Sequence, residues 1–142
     1  MKIFLDTSSL IKLYHTEIGT DFLDKVFEDF EINEIFLSGI AKVEFSSAIW
    51  KKVRTKDLTS VEAGDIIDSF NDDYGNYTFI DLDAELISTA RDLVSKYGLK
   101  GLRTLDSFQL ASILKIKSEL SFAITADDLL KSLIESEGIK IK

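Results

Sequence analysis

The chain has 142 residues, one histidine, no cysteine and a formal net charge of −8 at pH 7, and 45% of its residues are hydrophobic. This length suits one compact domain, predicted over residues 1–142, and the hydrophobic content favours a packed core over a disordered chain. The lack of cysteine excludes disulfides and thiolate metal sites, and a single histidine argues against a structural zinc site.

Charge and hydropathy also indicate the setting of the protein. Lys or Asp interrupts every apolar run before it reaches the length of a membrane span. Asp6 falls where a signal peptide would need apolar residues, so we expect a cytoplasmic protein with no membrane association. The acidic total argues against sequence-independent binding of nucleic acid, although a basic cluster at residues 51–56 or a bound metal would offset it locally.

Short apolar strands alternate with helices along the whole chain. Strands are predicted at residues 3–5, 35–38, 77–80 and 122–125, with a candidate edge strand at 139–141. Helices are predicted at residues 10–14, 20–30 and 40–54, from a capping box at Thr59, from an Asp83 cap to a stop at Gly98, from a Thr104 cap to about Leu120, and at 127–137. This alternation predicts an α/β fold with a central, mainly parallel sheet of four to five short strands.

Asp6 directly follows the first predicted strand. In open α/β sheets ligands bind beyond the carboxyl ends of the strands, and an aspartate is seldom buried there without a partner. The next residues, Thr7, Ser8 and Ser9, are of the types that cap helices, and Asp6 itself is another. The position of Asp6 is therefore explained equally by a functional site and by helix capping.

Three further acids have apolar neighbours in the sequence or lie at the end of a predicted strand. Glu44 is flanked by apolar residues within a predicted helix, Asp106 lies in the first turn of another, and Asp127 follows the strand at 122–125. Each has a structural explanation when taken alone. Glu44 would lie on the solvated face of its helix, and Asp106 and Asp127 would favour helix dipoles by about 0.3–1 kcal/mol each.

Together the four acids indicate a metal site. The carboxyl ends of parallel strands meet at one edge of a sheet, so Asp6 and Asp127 are expected to share that edge. The helices that carry Glu44 and Asp106 can begin beside it. Converging carboxylates repel one another, which raises their pKa values, and a hard divalent cation removes that penalty. Oxygen ligands at this low density suit Mg²⁺ or Mn²⁺, and similar ligands do not separate the two metals.

Other chemistries have less support in the sequence. A catalytic triad would have to use His15, and no nucleophile-elbow motif is present. The glycines match neither a dinucleotide fingerprint nor a P-loop. A metal phosphohydrolase of small substrates resembling the haloacid dehalogenases would need a second aspartate at position 8, which is Ser8.

The motifs around these acids resemble those of PIN domains, and in particular of VapC-type toxin ribonucleases. The resemblance covers nearly the whole chain. It rests on the opening at residues 6–14, on Glu44 before Ser46 and Ala48, on residues 105–111, and on the closing motif at residues 122–127. Two features depart from the pattern: Gln109 stands where many relatives have His, and Asp128 adds a second acid beside Asp127.

The resemblance implies a three-layer α/β/α sandwich and a metal-dependent endoribonuclease that hydrolyses RNA with a metal-activated water. The metal ligands and catalytic residues would be Asp6, Glu44, Asp106 and Asp127, with Asp6 and Asp106 first if one metal binds. Thr7, Ser8 and Thr125 would orient ligand or phosphate oxygens. Candidate RNA contacts are Lys12, Lys51, Lys52 and Arg54, although the basic cluster is also explained as a solvated helix end.

The resemblance further implies a cognate antitoxin, whose tail would occupy the acidic groove, and a homodimer. An arginine from the antitoxin would pair with the carboxylates. Two alternatives share the motifs: a catalytically weak PIN-like module that only binds its partner protein, and a house-keeping nuclease of RNA processing. Four intact acids favour an enzyme over the binding module.

Overall fold

Four short parallel strands form the centre of the structure, a computed structural model that describes residues 1–142. They are β1 (Lys2–Leu5), β2 (Glu34–Ser38), β3 (Thr78–Ile80) and β4 (Phe122–Ile124). The strands are ordered β3-β2-β1-β4, and each neighbouring pair is parallel. All four carboxyl ends therefore lie at one edge of the sheet, as the alternation of strands and helices predicts.

Seven α-helices connect and flank the strands. They are α1 (Thr7–Leu10), α2 (Thr20–Asp29), α3 (Ala41–Arg54), α4 (Ser60–Asp72), α5 (Ala84–Tyr97), α6 (Thr104–Lys115) and α7 (Asp128–Ser136). Three short 3₁₀ turns follow α1, α4 and α5. None of the helices combines the length and the apolar composition that a membrane crossing requires.

The sheet separates two hydrophobic cores, because successive side chains of a strand point to opposite faces. In β1, Phe4 joins a core of 17 buried residues that includes residues of α5, α6 and α7. Ile3 and Leu5 join the other core, of 15 buried residues, with α1 to α4. Helices thus cover both faces, and the predicted three-layer α/β/α sandwich is confirmed.

Several predicted element ends are confirmed by capping bonds. The Thr59 side chain accepts from the Glu62 N–H and the Glu62 side chain accepts from the Thr59 N–H, which forms the expected capping box of α4. The Asp83 carboxylate accepts from the Leu86 N–H at 2.8 Å at the start of α5. Local capping chemistry is readable in sequence because donor and acceptor lie only three residues apart.

Other ends differ from the prediction. The first helix begins at Thr7 rather than at residue 10, with Asp6 as its N-cap. Thr104 is the first residue of α6 rather than its cap, and α6 ends at Lys115, before the predicted Leu120. Ile116 is buried beyond that end, and the chain turns there towards β4.

The predicted end of α5 is confirmed, whereas the predicted fifth strand does not form. Helix α5 ends at Tyr97, with Gly98 as its C-cap. A 3₁₀ turn then continues to Lys100, and the left-handed residue is Gly101, with φ of +92°. The candidate strand at 139–141 is reduced to one bridge between Ala123 and Ile141. Only Ala123 pairs there, by donating to the Lys140 carbonyl and accepting from the Lys142 N–H.

Replacing Phe45 with Ala tests the core on the α3 side of the sheet. Phe45 is fully buried between the rings of Tyr14 and Phe70, at centroid distances of 5.4 and 4.3 Å. Its loss should reduce the free energy of unfolding by about 3–5 kcal/mol, as measured by urea denaturation. Val43→Ala is the matched control on the same helix, because Val43 is 68% exposed. An equal loss in both variants would contradict this packing.

Candidate active site

An open acidic cavity of about 380 Å³ lies at the carboxyl edge of the sheet. The four acids singled out in the sequence all line it: Asp6, Glu44, Asp106 and Asp127. Asp6 follows β1 directly, Asp127 caps the helix after β4, and the other two acids lie in the first turns of α3 and α6. The remaining lining residues are Thr7, Ser8, Ile11, Ala48, Lys51, Arg103 and Gln109.

Asp6 is a buried carboxylate with both oxygens hydrogen-bonded. Its Oδ1 accepts from the Ser9 N–H at 2.9 Å, and its Oδ2 accepts from the Thr125 hydroxyl at 2.5 Å. The Ser8 hydroxyl lies 2.8 Å from each of the two oxygens. Burial raises the pKa of Asp6 above its ordinary value, and these hydrogen bonds oppose the rise. Asp6 therefore caps α1, as one explanation of its position requires, and it also lines the cavity, where its functional role stays a prediction.

The hydroxyls around Asp6 also join β1 to β4. Thr125 Oγ1 accepts from the Asp127 N–H at 3.0 Å, and Ser8 Oγ accepts from the Ala126 N–H at 3.1 Å. Both hydroxyls therefore bond Asp6 on one side and the backbone after β4 on the other. This arrangement holds the ends of the two central strands in a fixed relation at the edge of the cavity.

Asp127 has one engaged oxygen. Its Oδ1 accepts from the Leu130 N–H at 2.7 Å and so caps α7, while no protein donor bonds Oδ2. Asp127 is half-buried and lines the cavity. Asp128 is exposed and does not line it. Of the two adjacent acids, Asp127 is thus the one that faces the other carboxylates.

Glu44 is likewise held through one oxygen. Its Oε1 accepts from the Gln109 amide at 2.7 Å and from the Thr7 hydroxyl at 3.2 Å, and no protein donor bonds Oε2. Glu44 is half-buried. Burial raises the pKa of Glu44, the two hydrogen bonds oppose the rise, and the charges of Asp106 and Asp6 add to it.

The only partner of Asp106 is the exposed cation of Arg103. The Nε of Arg103 lies 3.5 Å from Asp106 Oδ2, and the Arg103 side chain is 79% exposed. Burial raises the pKa of Asp106, and the negative charge of Asp127 raises it further against the opposing effect of Arg103. Asp106 and Asp127 are thus close enough to repel each other, as the sequence predicts.

The basic residues named from the sequence divide into two groups. Lys51 lines the cavity, and Arg54 is exposed outside it. Lys12 and Lys52 instead bind the two oxygens of Glu17, at 2.9 and 2.6 Å. The Glu17–Lys12–Lys52 triad links the turn after α1 to α3, and its cations lie outside the cavity lining.

Sequence reasoning did not assign Arg103 or Gln109 to the site. Arg103, Asp106 and Gln109 follow one another at three-residue intervals, so they share one face at the start of α6. That spacing was the available signal. Both residues line the cavity with Asp106.

The donor set of the cavity suits a hard cation that retains water. Glu44 Oε2, Asp106 Oδ1 and Asp127 Oδ2 have no protein partner and are not sealed from solvent. No group of three or more His, Asp or Glu side chains lies close enough together to hold a metal directly. Mg²⁺ commonly binds through one or two carboxylates and keeps several waters, so these oxygens fit it in kind and in number.

Several solved structures have a similar fold. Mycobacterium tuberculosis VapC20, described as a sarcin-ricin loop cleaving toxin, matches with a TM-score of 0.71 and 14% identity over 92% of this chain and 94% of its own. A chain of Haemophilus influenzae VapBC-1 matches with a TM-score of 0.66 and 12% identity over 100% of this chain and 97% of its own. Neisseria gonorrhoeae FitAcB matches with a TM-score of 0.63 and 14% identity over 98% of this chain and 95% of its own.

At these identities the structural matches show a shared fold. A comparison with curated proteins gives no match. The family model for the PIN domain matches residues 3–134, which include all four acids, strands β2 to β4 and all of β1 but Lys2. The chain belongs to the PIN domain family.

Proposed function

We propose that this protein is a Mg²⁺- or Mn²⁺-dependent endoribonuclease and the toxin of a toxin–antitoxin pair. The observation that carries the proposal is the convergence of four acids on one open cavity, with three unpartnered carboxylate oxygens among them. Membership of the PIN domain family supports it. So does the fold shared with VapC20, which is described as a cleaving toxin.

One or two of the four acids, Asp6, Glu44, Asp106 and Asp127, would bind the metal directly, and the others would contact the water that it retains. When bound, a divalent ion supplies an acidified water and a counter-charge for the phosphate oxygens. The chain provides the orientation. The backbone of Ser9 and the hydroxyls of Ser8 and Thr125 fix the Asp6 carboxylate, so little reorganisation is needed there on loading.

Lys51 and Arg103 are the cations placed to bind RNA at the cavity. Both are exposed and both line it. Phosphates on either side of the scissile bond would pair with them, which offsets the unfavourable net charge of −8. Lys12 and Lys52 are less suited to this role because both pair with Glu17 and neither lines the cavity.

A cognate antitoxin is the proposed protein partner. Solved relatives by fold include VapBC-1 and a toxin–antitoxin complex from Klebsiella pneumoniae. An arginine from such a partner would replace the metal as counter-charge to the acids in the cavity. The homodimer implied by the sequence resemblance stays a prediction.

Asp127→Asn tests the site without removing a helix cap. Asparagine caps helices as well as aspartate does, so α7 should remain folded while the cavity loses one charge. Mg²⁺-dependent cleavage of RNA should fall by at least about 100-fold, since the lost ligand weakens both metal binding and charge stabilisation. The assay follows a fluorescently labelled RNA pool with purified protein.

Asp128→Asn is the matched control for this experiment, because Asp128 is the exposed neighbour outside the cavity. It should cleave at the wild-type rate. Equal activity in all three proteins would remove Asp127 from the site. Wild-type protein that lacks metal-dependent cleavage altogether would favour the protein-binding module.

Asp106→Asn should stabilise the metal-free protein. Because the folded-state pKa of Asp106 is raised, its ionisation opposes folding above that pKa, and the penalty disappears as the pH falls. The melting temperature of the variant should therefore exceed that of the wild type by a few degrees at pH 7–8, on the order of 1 kcal/mol. The difference should shrink as the pH falls through the raised pKa of Asp106.

The metal reverses this order. Mg²⁺ that binds only the folded protein should raise the wild-type free energy of unfolding by about 2.7 kcal/mol at 100 times the dissociation constant. The wild-type melting temperature should rise accordingly, and that of Asp106→Asn should rise much less. Differential scanning calorimetry with and without EDTA provides the measurement. A variant less stable than the wild type in EDTA at every pH would contradict carboxylate repulsion at Asp106.

A further inference from the structure

Gln109 is the only glutamine of the chain, and it is 2% exposed. It lies on α6, one turn after Asp106. Its amide nitrogen donates to Glu44 Oε1 at 2.7 Å and to Thr7 Oγ1 at 3.0 Å. The side chain therefore connects α6 with α3 and α1, the three helices whose first turns surround the cavity.

The other atom of this amide has no partner. Gln109 Oε1 is the single buried side-chain nitrogen or oxygen in the structure that makes no hydrogen bond. Such an atom carries the full penalty of desolvation, and an apolar side chain of the same shape would avoid it. The reverse orientation of the amide would place Oε1 against the Glu44 carboxylate, which is less favourable still. Packing alone does not explain a glutamine at this position.

The consequence of the two amide bonds is seen at Glu44. The Gln109 amide and the Thr7 hydroxyl donate to the same oxygen, Oε1. The carboxylate is thereby fixed in rotation, and Oε2 has no donor and is not sealed from solvent. Ligand residues of metal sites are commonly oriented by hydrogen bonds of this kind.

We propose that Gln109 is a positioning residue that presents Glu44 Oε2 to the metal of this site. The proposal rests on the proposed function. It gives α6 two roles at the site, because the helix supplies Asp106 and also orients Glu44 through Gln109. The unpartnered Oε1 is the consequence of directing both amide hydrogens towards Glu44 and Thr7.

Gln109→Met removes the donors and keeps an unbranched side chain that packs well in a core. Calorimetric titration of the metal-free protein with Mn²⁺ should show affinity lower by about 10- to 100-fold. Cleavage of RNA should show a reduced kcat with an unchanged KM, because Gln109 is only 2% exposed and offers RNA almost no surface to contact. Gln109→His retains an N–H donor and should bind Mn²⁺ more tightly than Gln109→Met does.

Ser112→Ala is the matched control. Ser112 is fully buried on the same helix, and its hydroxyl oxygen lies 2.8 Å from Ser38 Oγ and 2.7 Å from the Phe108 carbonyl oxygen, away from the cavity. It should lower the melting temperature and leave Mn²⁺ affinity unchanged. Equal Mn²⁺ affinity in Gln109→Met and wild type, with RNA cleavage intact in the latter, would overturn the role of Gln109 and leave the proposed function standing. Wild type that neither binds Mn²⁺ nor cleaves RNA would overturn both.

A measurement on the wild type does not depend on the folding of any variant. Glutamine-selective ¹⁵N labelling gives one side-chain amide pair, because the chain has one glutamine. Adding Mg²⁺ should change the chemical shifts of both amide protons. This change should saturate over the same range of Mg²⁺ concentration as the rise in melting temperature. Resonances that stay unmoved at saturation would overturn the proposal.

Discussion

The buried carboxylate of Asp6 is the constraint around which the edge of the sheet is built. It lies directly after β1, where burial disfavours its charge and raises its pKa. Three donors from α1 and from the end of β4 compensate for the lost hydration. The same hydroxyls accept from the backbone after β4. The hydrogen bonds that stabilise the Asp6 carboxylate therefore also align β1 and β4, the two strands that Asp6 and Asp127 follow.

The other three acids share a simpler design. Each is held or paired through one oxygen, by a helix N–H for Asp127, by Gln109 and Thr7 for Glu44, and by Arg103 for Asp106. The second oxygen of each has no protein partner. Burial raises the pKa values of Glu44 and Asp106, and the charges of neighbouring acids raise them further. A divalent cation bound as we propose would offset the repulsion between these acids.

The architecture and the acids of the cavity could be predicted from the sequence because their signals are local. Strand and helix periodicity, capping residues and an acid after a strand are read within a few residues, and the parallel sheet then brings Asp6 and Asp127 to one edge. The hydrogen-bond partners could not be read from local patterns, and only the resemblance to PIN domains pointed to Thr7, Ser8 and Thr125. Thr125 lies 119 positions from Asp6, and Gln109 lies 65 positions from Glu44. Such contacts depend on how α6 and β4 pack, which no local pattern specifies. The end of α6 and the loss of a fifth strand depend on tertiary packing in the same way.

The most direct test of the metal site is a crystal structure of the protein soaked in Mn²⁺, with anomalous scattering used to locate the ion. The acids of the cavity should surround an anomalous peak, with at least one unpartnered oxygen of Glu44, Asp106 or Asp127 about 2.1 Å from it. Oxygen atoms of ordered water should complete the coordination. An empty cavity at a Mn²⁺ concentration that supports RNA cleavage, or a peak elsewhere on the protein, would contradict the assignment of these four acids.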